Sequence, residues 1–131
     1  MKKTTLWNSH LSTAIAQMGH TQTLTIGDGG LPVPAGVPRI DLAVTAGVPL
    51  FLEVLDAVLS ELTVEKIILA EEIQSENPPM WREILERFPN IQVSYVPHQK
   101  FKEETSHSNA VVRTGENTPY ANIILVAGVA F

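Results

Sequence analysis

The sequence predicts an α/β fold in which helices cover a mainly parallel sheet. Amphipathic helical patterns alternate along the chain with short β-rich segments, which is the order expected of such a fold. One segment, Lys66–Ala70 (KIILA), is apolar on both faces, as in strands buried between two layers. At 131 residues the chain is expected to form one domain, 1–131.

Three helices are predicted from capping residues, prolines and apolar spacing. The first begins at an N-capping Asn8 or Ser9 and ends at Gly19, a residue that readily adopts the left-handed conformation of a helix stop. The second begins at Pro49, because proline is favoured in the first helical turn. The third begins at Asn77–Pro79 for the same reason and ends at the next proline.

Strands are predicted where β-branched and apolar residues form short runs. Besides Lys66–Ala70, these runs are Thr21–Ile26, Arg39–Val44, Ile91–Val96, Ala110–Arg113 and Ile123–Ala127. The polar segment Pro97–Ser106 is expected to be a short helix or a loop. The middle strands are expected to run parallel, and the spacing leaves the strand order open.

Composition and charge exclude several classes of protein. The absence of cysteine excludes disulfide scaffolds, cysteine-ligated metal sites and thiol nucleophiles. The net charge of −5 argues against nucleic acid or an anionic membrane as a partner. No signal peptide or membrane span is expected, since the terminal apolar run Ile123–Phe131 is far shorter than the ~20 residues that cross a bilayer. We expect a cytoplasmic protein.

Motifs for cofactors and metals are missing. Gly27–Gly30 fails the dinucleotide-binding pattern because Pro32 stands where the third glycine is required. The chain has no P-loop and no nucleophile elbow, and its four histidines lack the H-x-x-x-H spacing of a helical zinc pair. We therefore expect no cofactor and no metal, and a chemistry of acid–base and hydrogen-bonding groups.

Two candidate residues lie at junctions between elements. His20 follows the helix stop and precedes a strand, where an imidazole can transfer protons near neutral pH; the alternative is a histidine that only caps the helix. Asp28 lies between glycines at the end of a strand, a usual place for ligands in α/β sheets. It could bind sugar hydroxyls or orient His20, or only close an Asx-turn.

Further candidates follow two later strands. His98 comes at a strand end, and Lys102 would share its face on a helix; a solvated polar surface is the favoured alternative. Tyr120 and Asn122 flank Ala121 just before the last strand. A stacking face together with amide and hydroxyl groups suits a neutral polyhydroxylated ligand, and a turn leading into the strand is equally consistent.

The residues in this order resemble the D-ribose pyranase family over nearly the whole chain. The matching segments are Gly19-His20-Thr21, Asp28-x-Gly30-Leu31-Pro32-x-Pro34, Arg39-Ile40-Asp41, Gly47-Val48-Pro49, Ala70-Glu71-Glu72-Ile73, Asn77-Pro78, Gly115-Glu116-x-x-Pro119-Tyr120-Ala121-Asn122-Ile123-Ile124-Leu125 and Ala127-Gly128-Val129-x-Phe131. The related L-fucose mutarotases share the general pattern. The tail and the Pro-Tyr-Ala-Asn segment are more similar to the ribose branch.

The resemblance implies an isomerase that interconverts the pyranose and furanose forms of D-ribose and supplies ribose for phosphorylation. It implies His20 as proton donor and a set of substrate-binding positions: Asp28, His98, Tyr120, Ala121, Asn122 and, as a weaker match, Lys102. Gln22 stands where relatives often carry an acidic residue, so Asp28 is the expected alternative partner of His20. An L-fucose-type mutarotase and a non-catalytic sugar-binding module of the ribose transport system remain alternatives.

The resemblance also implies a ring oligomer, a decamer of two stacked pentamers with the sugar site between subunits. The residues themselves favour association, because the apolar end Val126–Phe131 would be unusual if exposed on a monomer. D-Ribose and further copies of the chain are thus the expected partners.

Overall fold

The fold is a six-stranded sheet with five α-helices, described for residues 1–131 by a computed structural model. The helices are α1 (Ser9–Gln17), α2 (Phe51–Leu59), α3 (Ile73–Glu76), α4 (Pro78–Glu86) and α5 (His98–Glu104), the last followed by a 3-10 turn, Thr105–His107. The strands are β1 (Thr23–Gly27), β2 (Arg39–Asp41), β3 (Val64–Ala70), β4 (Gln92–Val96), β5 (Val111–Arg113) and β6 (Ile123–Ala127). None of these helices is long and apolar enough to cross a bilayer.

The sheet is mixed, with the strand order β2-β5-β1-β6-β3-β4. Strand β6 runs antiparallel to both of its neighbours, β1 and β3, while the remaining pairs are parallel. The expectation of a mainly parallel sheet is thus correct for every strand but the last.

Side-chain alternation along the strands divides the core into two layers. Leu24 and Ile26 of β1 lie opposite Leu125 and Ile123 of β6, and all four face the larger apolar cluster. That cluster is completed by buried residues of α1, α2 and α4. On the other face, Phe101 of α5 packs in a smaller cluster with strand residues of opposite parity. Helices therefore cover both faces, as in other α/β sheets.

The starts of α1 and α4 agree with prediction, whereas α2 begins at Phe51, two residues after the predicted Pro49. The side chain of Asn8 accepts a hydrogen bond from the Leu11 amide at 2.9 Å and so caps α1. Strand β2 stops at Asp41 instead of Val44, because the Asp41 carboxylate accepts a hydrogen bond from the Ala43 amide at 3.1 Å and turns the chain. The one-turn helix α3 was not predicted.

The antiparallel course of β6 sets the positions of the functional residues. Ile123, at the start of β6, pairs with Ile26 near the end of β1, and Val126 pairs with Thr23 at the start of β1. The segment before β6 therefore meets the segment after β1 at one edge of the sheet. The segment after β6 meets the segment before β1 at the opposite edge.

Candidate functional site

Four of the predicted site residues meet at the carboxyl end of β1. The Asp28 amide donates to Oδ1 of Asn122 at 2.9 Å, and the rings of His98 and Tyr120 pack edge to face with centroids 5.0 Å apart. Ligands of open α/β sheets bind at such strand ends. This group, the Asp28 cluster, therefore brings together residues that are far apart in the sequence.

The close approach of Asp28 and Asn122 depends on a glycine. A Cβ added to Gly27 would lie 2.9 Å from Asn122 Oδ1 and 2.5 Å from Leu31 Cδ2, closer than real side chains come. The Asn122 side chain is itself almost fully buried. Because Gly27 has no side chain, β1 passes close to Asn122. The next residue, Asp28, can then hold the Asn122 side-chain amide in one orientation through its backbone amide.

Asp28 forms an Asx-turn and still presents an acceptor to the cluster. Its Oδ1 accepts a hydrogen bond from the Gly30 amide at 2.9 Å. Burial raises the pKa of Asp28, and this effect exceeds the opposing effects of the Gly30, Asn122 and Leu31 hydrogen bonds and of nearby His98. The Asx-turn named as the alternative is thus present, and it fixes the direction of the carboxyl group.

His98 is the first residue of α5, and its ring is enclosed by aromatic neighbours. Its amide donates to the Glu72 carboxylate at 2.9 and 3.0 Å, and its ring stacks on Phe101 with centroids 6.1 Å apart. Burial lowers the pKa of His98, and Lys102 lowers it further, while Glu72 and Asp28 act in the opposite direction. Its Nδ1 is buried and has no hydrogen-bond partner within the chain.

Tyr120 adopts a backbone conformation that is rare outside glycine. Its φ is +56°, and such left-handed residues commonly occur at functional sites. The preceding residues are held by Asn77, whose Nδ2 donates to Thr118 Oγ1 at 3.1 Å and to the Pro119 carbonyl at 2.7 Å. This bracing keeps the Tyr120 ring against His98.

A buried carboxylate supports the same loop from the other side. Glu116 is 5% exposed, and its Oε1 accepts a hydrogen bond from the Phe51 amide at the start of α2 at 3.2 Å. Its Oε2 accepts from Thr118 Oγ1 at 3.0 Å. The sequence contained no signal for this role, because Asn77 and Glu116 act through tertiary contacts with backbone groups distant in sequence.

The remaining predicted binding residues lie near the Asp28 cluster. Ala121 is fully buried between Tyr120 and Asn122 in the single chain, its backbone included. Lys102 lies one turn after His98 on α5, as the four-residue spacing predicts.

His20 lies at the opposite edge of the sheet. Five residues of β1 separate it from Asp28, and at about 3.3 Å per residue that strand alone spans roughly 17 Å. The partner of His20 is Glu65, whose Oε2 lies 2.9 Å from His20 Nε2. The expectation that Asp28 of the same chain could orient His20 is therefore wrong.

The C-terminal tail forms part of the cleft around His20. This cleft, the His20 cleft, is lined by the end of α1 and the residues that follow it, by residues 61–63 just before β3, and by residues 127–131. Val129 and Phe131 are exposed in the single chain. One chain thus carries two separate groups of candidate residues, one at each edge of its sheet.

The fold and the Asp28 cluster define an α/β protein whose strand ends present hydrogen-bonding groups suited to a neutral, hydroxyl-rich small molecule. Residues 1–130 match the RbsD / FucU transport protein family, and the chain belongs to that family.

Individual relatives place the chain nearer one branch of the family. It is 54% identical over 131 residues to the D-ribose pyranase of Enterococcus faecalis, covering 100% of both chains. The structure of Bacillus subtilis RbsD complexed with D-ribose matches with a TM-score of 0.97 and 44% identity, covering 100% of both chains. The Streptococcus pneumoniae fucose mutarotase complexed with L-fucose shares the fold, with a TM-score of 0.78, 24% identity, and 95% and 94% coverage.

Proposed function

We propose that this chain is an isomerase that interconverts the pyranose and furanose forms of D-ribose. The observation that carries the proposal is full-length similarity to proteins named for this activity, at 54% identity for the Enterococcus faecalis relative. The near-superimposable ribose complex of Bacillus subtilis RbsD supports ribose as the ligand. Such an enzyme would supply ribose for phosphorylation, and we infer that it acts in the cytoplasm.

The reaction needs only proton transfers. In the pyranose, the bond between C1 and the ring oxygen breaks as that oxygen gains a proton and the anomeric hydroxyl loses one, which gives the open-chain aldehyde. The C4 hydroxyl then attacks C1 and gives up its proton while the aldehyde oxygen is protonated, which closes the furanose. Acid–base assistance of this kind contributes about 10²–10⁴-fold.

The residues are assigned roles that follow from their chemistry. His20 donates the proton to the ring oxygen as an imidazolium. The Asp28 carboxylate accepts hydrogen bonds from sugar hydroxyls, and the His98 imidazole exchanges a further hydrogen bond with the sugar. The Tyr120 ring and the Asn122 amide limit the orientations of the open chain, with Lys102 and the Ala121 backbone at the margin of the site.

A complete site requires two copies of the chain. Because His20 and the Asp28 cluster lie at opposite edges of one sheet, a single monosaccharide cannot contact both within one subunit. We infer that His20 of one subunit faces the Asp28 cluster of the next, in a ring assembly of two stacked pentamers. The exposed apolar tail beside His20 supports an interface at this edge.

Ribose is favoured over fucose as substrate, because the ribose-named relatives are about twice as similar in sequence as the fucose mutarotase. Saturation-transfer NMR separates the possibilities, since it measures the exchange between sugar forms directly. The proposal expects faster exchange for ribose than for fucose. Preferred acceleration of fucose would indicate the other branch, and ribose binding without acceleration would indicate a binding module.

The role of His20 is tested in the same assay. His20→Ala is expected to abolish accelerated exchange while the protein stays folded and still binds ribose, because the Asp28 cluster is intact. His10→Ala provides a matched control, since His10 is an exposed histidine on α1. Exchange at the wild-type rate in His20→Ala would refute the assignment.

The interface is tested by removing the tail. Deletion of residues 129–131 is expected to dissociate the assembly and abolish exchange, because it strips the apolar surface next to His20. Light scattering measures the change in mass. An intact assembly after the deletion would contradict the proposed position of the interface.

A further inference from the structure

We propose that Glu65 is a positioning residue that fixes the tautomer and direction of the His20 imidazole. This inference rests on the proposed function, in which His20 transfers the proton. The direct observation is the 2.9 Å contact between Glu65 Oε2 and His20 Nε2, formed across 45 residues of sequence. Three features of the backbone maintain this contact.

The first feature is a β-bulge in β3. Val64 pairs with Ala127 and Lys66 pairs with Val126, so two neighbouring residues of β6 face three residues of β3. Glu65 is the extra residue. Bulges redirect a side chain out of the regular alternation and are common next to active sites. Here the bulge turns Glu65 toward the edge of the sheet where His20 lies.

The second feature is the absence of a side chain at Gly128. A Cβ at this position would lie 3.2 Å from the Glu65 Cβ and 3.4 Å from Thr63 Cγ2. The Gly128 amide also donates to the Thr63 carbonyl at 2.9 Å. The chain after β6 therefore packs directly against the bulge and limits the positions that the Glu65 side chain can take.

The third feature fixes the backbone next to His20. Thr21 has φ +69°, in the left-handed region that β-branched residues rarely adopt. Its amide donates to the Ala127 carbonyl at 2.9 Å, and the Ala127 amide donates to the Gln22 carbonyl at 2.9 Å. The segments that carry His20 and Glu65 are thus both hydrogen-bonded to the end of β6.

The contact determines which nitrogen faces the sugar. When Nε2–H donates to Glu65, Nδ1 remains as the atom that gives a proton to the ring oxygen and takes one back. After the transfer, the neutral ring keeps its remaining proton on Nε2. In the single chain the two side chains are 51% and 44% exposed, and a neighbouring subunit over the His20 cleft would shield them from water.

Glu65→Gln tests the proposal, because the amide preserves the size of the side chain but no longer selects one tautomer. At saturating ribose the exchange rate is expected to fall by about 10- to 100-fold, the usual cost of a misdirected catalytic group. The dissociation constant for ribose should stay within about twofold, since the Asp28 cluster is untouched. Long-range proton–nitrogen NMR on histidine-labelled protein should show that neutral His20 changes from the Nε2–H tautomer to a mixture of both tautomers.

Two further variants make the outcome unambiguous. Glu61→Gln removes an equal charge near His20, but the Glu61 carboxylate bonds Lys2 and Thr4 instead of His20. This variant should keep the wild-type rate. In a His20→Ala background, Glu65→Gln should cause no additional loss.

The outcomes also separate this inference from the proposed function. If His20→Ala is inactive while Glu65→Gln keeps the wild-type rate or an unchanged His20 tautomer, the role of Glu65 is refuted and the proposed function stands. If His20→Ala itself exchanges ribose at the wild-type rate, the proposed function of His20 fails first.

Discussion

Asn77 is expected to control both the stability of the fold and the affinity of the Asp28 cluster. It is 8% exposed, and a single Nδ2 group donates hydrogen bonds to Thr118 Oγ1 and to the Pro119 carbonyl. Each intramolecular hydrogen bond contributes about 0.5–1.5 kcal/mol net, so Asn77→Ala should lower the free energy of unfolding by about 1–3 kcal/mol. The loss leaves the Pro119 carbonyl without its side-chain donor.

The same substitution should weaken ribose binding. Tyr120 pays about 1–2 kcal/mol for its left-handed backbone, and the hydrogen bonds to the two preceding residues offset that cost. Without them the Tyr120 ring leaves His98 for part of the time. If the full backbone cost is transferred to binding, the dissociation constant rises by roughly 5- to 30-fold.

Urea titration and ribose titration at one fixed protein concentration measure the two effects. Asn117→Ala is the matched control, because Asn117 lies in the same loop but is exposed; it should change stability by less than about 0.5 kcal/mol. If Asn77→Ala loses no more stability than this control and binds ribose normally, the bracing of Tyr120 by Asn77 is refuted.

Three further predictions concern pH, packing and the bulge. Burial lowers the pKa of His98 below 6.5, so the folded state binds the His98 proton more weakly than the unfolded state does. Stability should therefore be lost as the pH falls through this lowered pKa. The free energies of unfolding measured by urea titration at about pH 7 and pH 5 should differ less in His98→Gln than in the wild type. Leu125→Ala should cost about 2–5 kcal/mol, because this side chain is fully buried, whereas truncation of half-buried Val126 should cost clearly less in the same titration. Gly128→Ala should slow ribose exchange without weakening ribose binding, since the new Cβ would lie 3.2 Å from the Glu65 Cβ; exchange at the wild-type rate would contradict the packing argument.

Local signals in the sequence were sufficient for most elements of the fold. Asn8 caps α1 as its residue type predicts, and the apolar KIILA segment forms the last five residues of β3. The direction of β6 could not be predicted, because an apolar strand has the same pattern in both directions. The end of β2 could not be predicted either. The sequence pattern of a strand continues to Val44, but the Asx-turn at Asp41 ends the strand earlier.

The candidate site was predictable in its members but not in its arrangement. Asp28, His98, Tyr120 and Asn122 each follow or precede a strand, and the sheet gathers them at one edge. His20 also adjoins a strand, but it lies at the start of β1, opposite the end where the other four residues meet. Sequence spacing alone does not show that His20 and the Asp28 cluster lie at opposite ends of the strands. Glu65 could not be identified from the sequence, since its direction depends on a bulge created by pairing with β6.

In the proposed assembly, the position of β6, with Asn122 at one end and Gly128 at the other, makes each subunit a contributor to two different sites. Two variants that are inactive for different reasons, His20→Ala and Asn122→Ala, should therefore complement each other when their subunits are mixed. With equal amounts and random assembly in a closed ring, about a quarter of the sites would combine an intact half from each parent. Two defective proteins would then regain activity only after exchanging subunits.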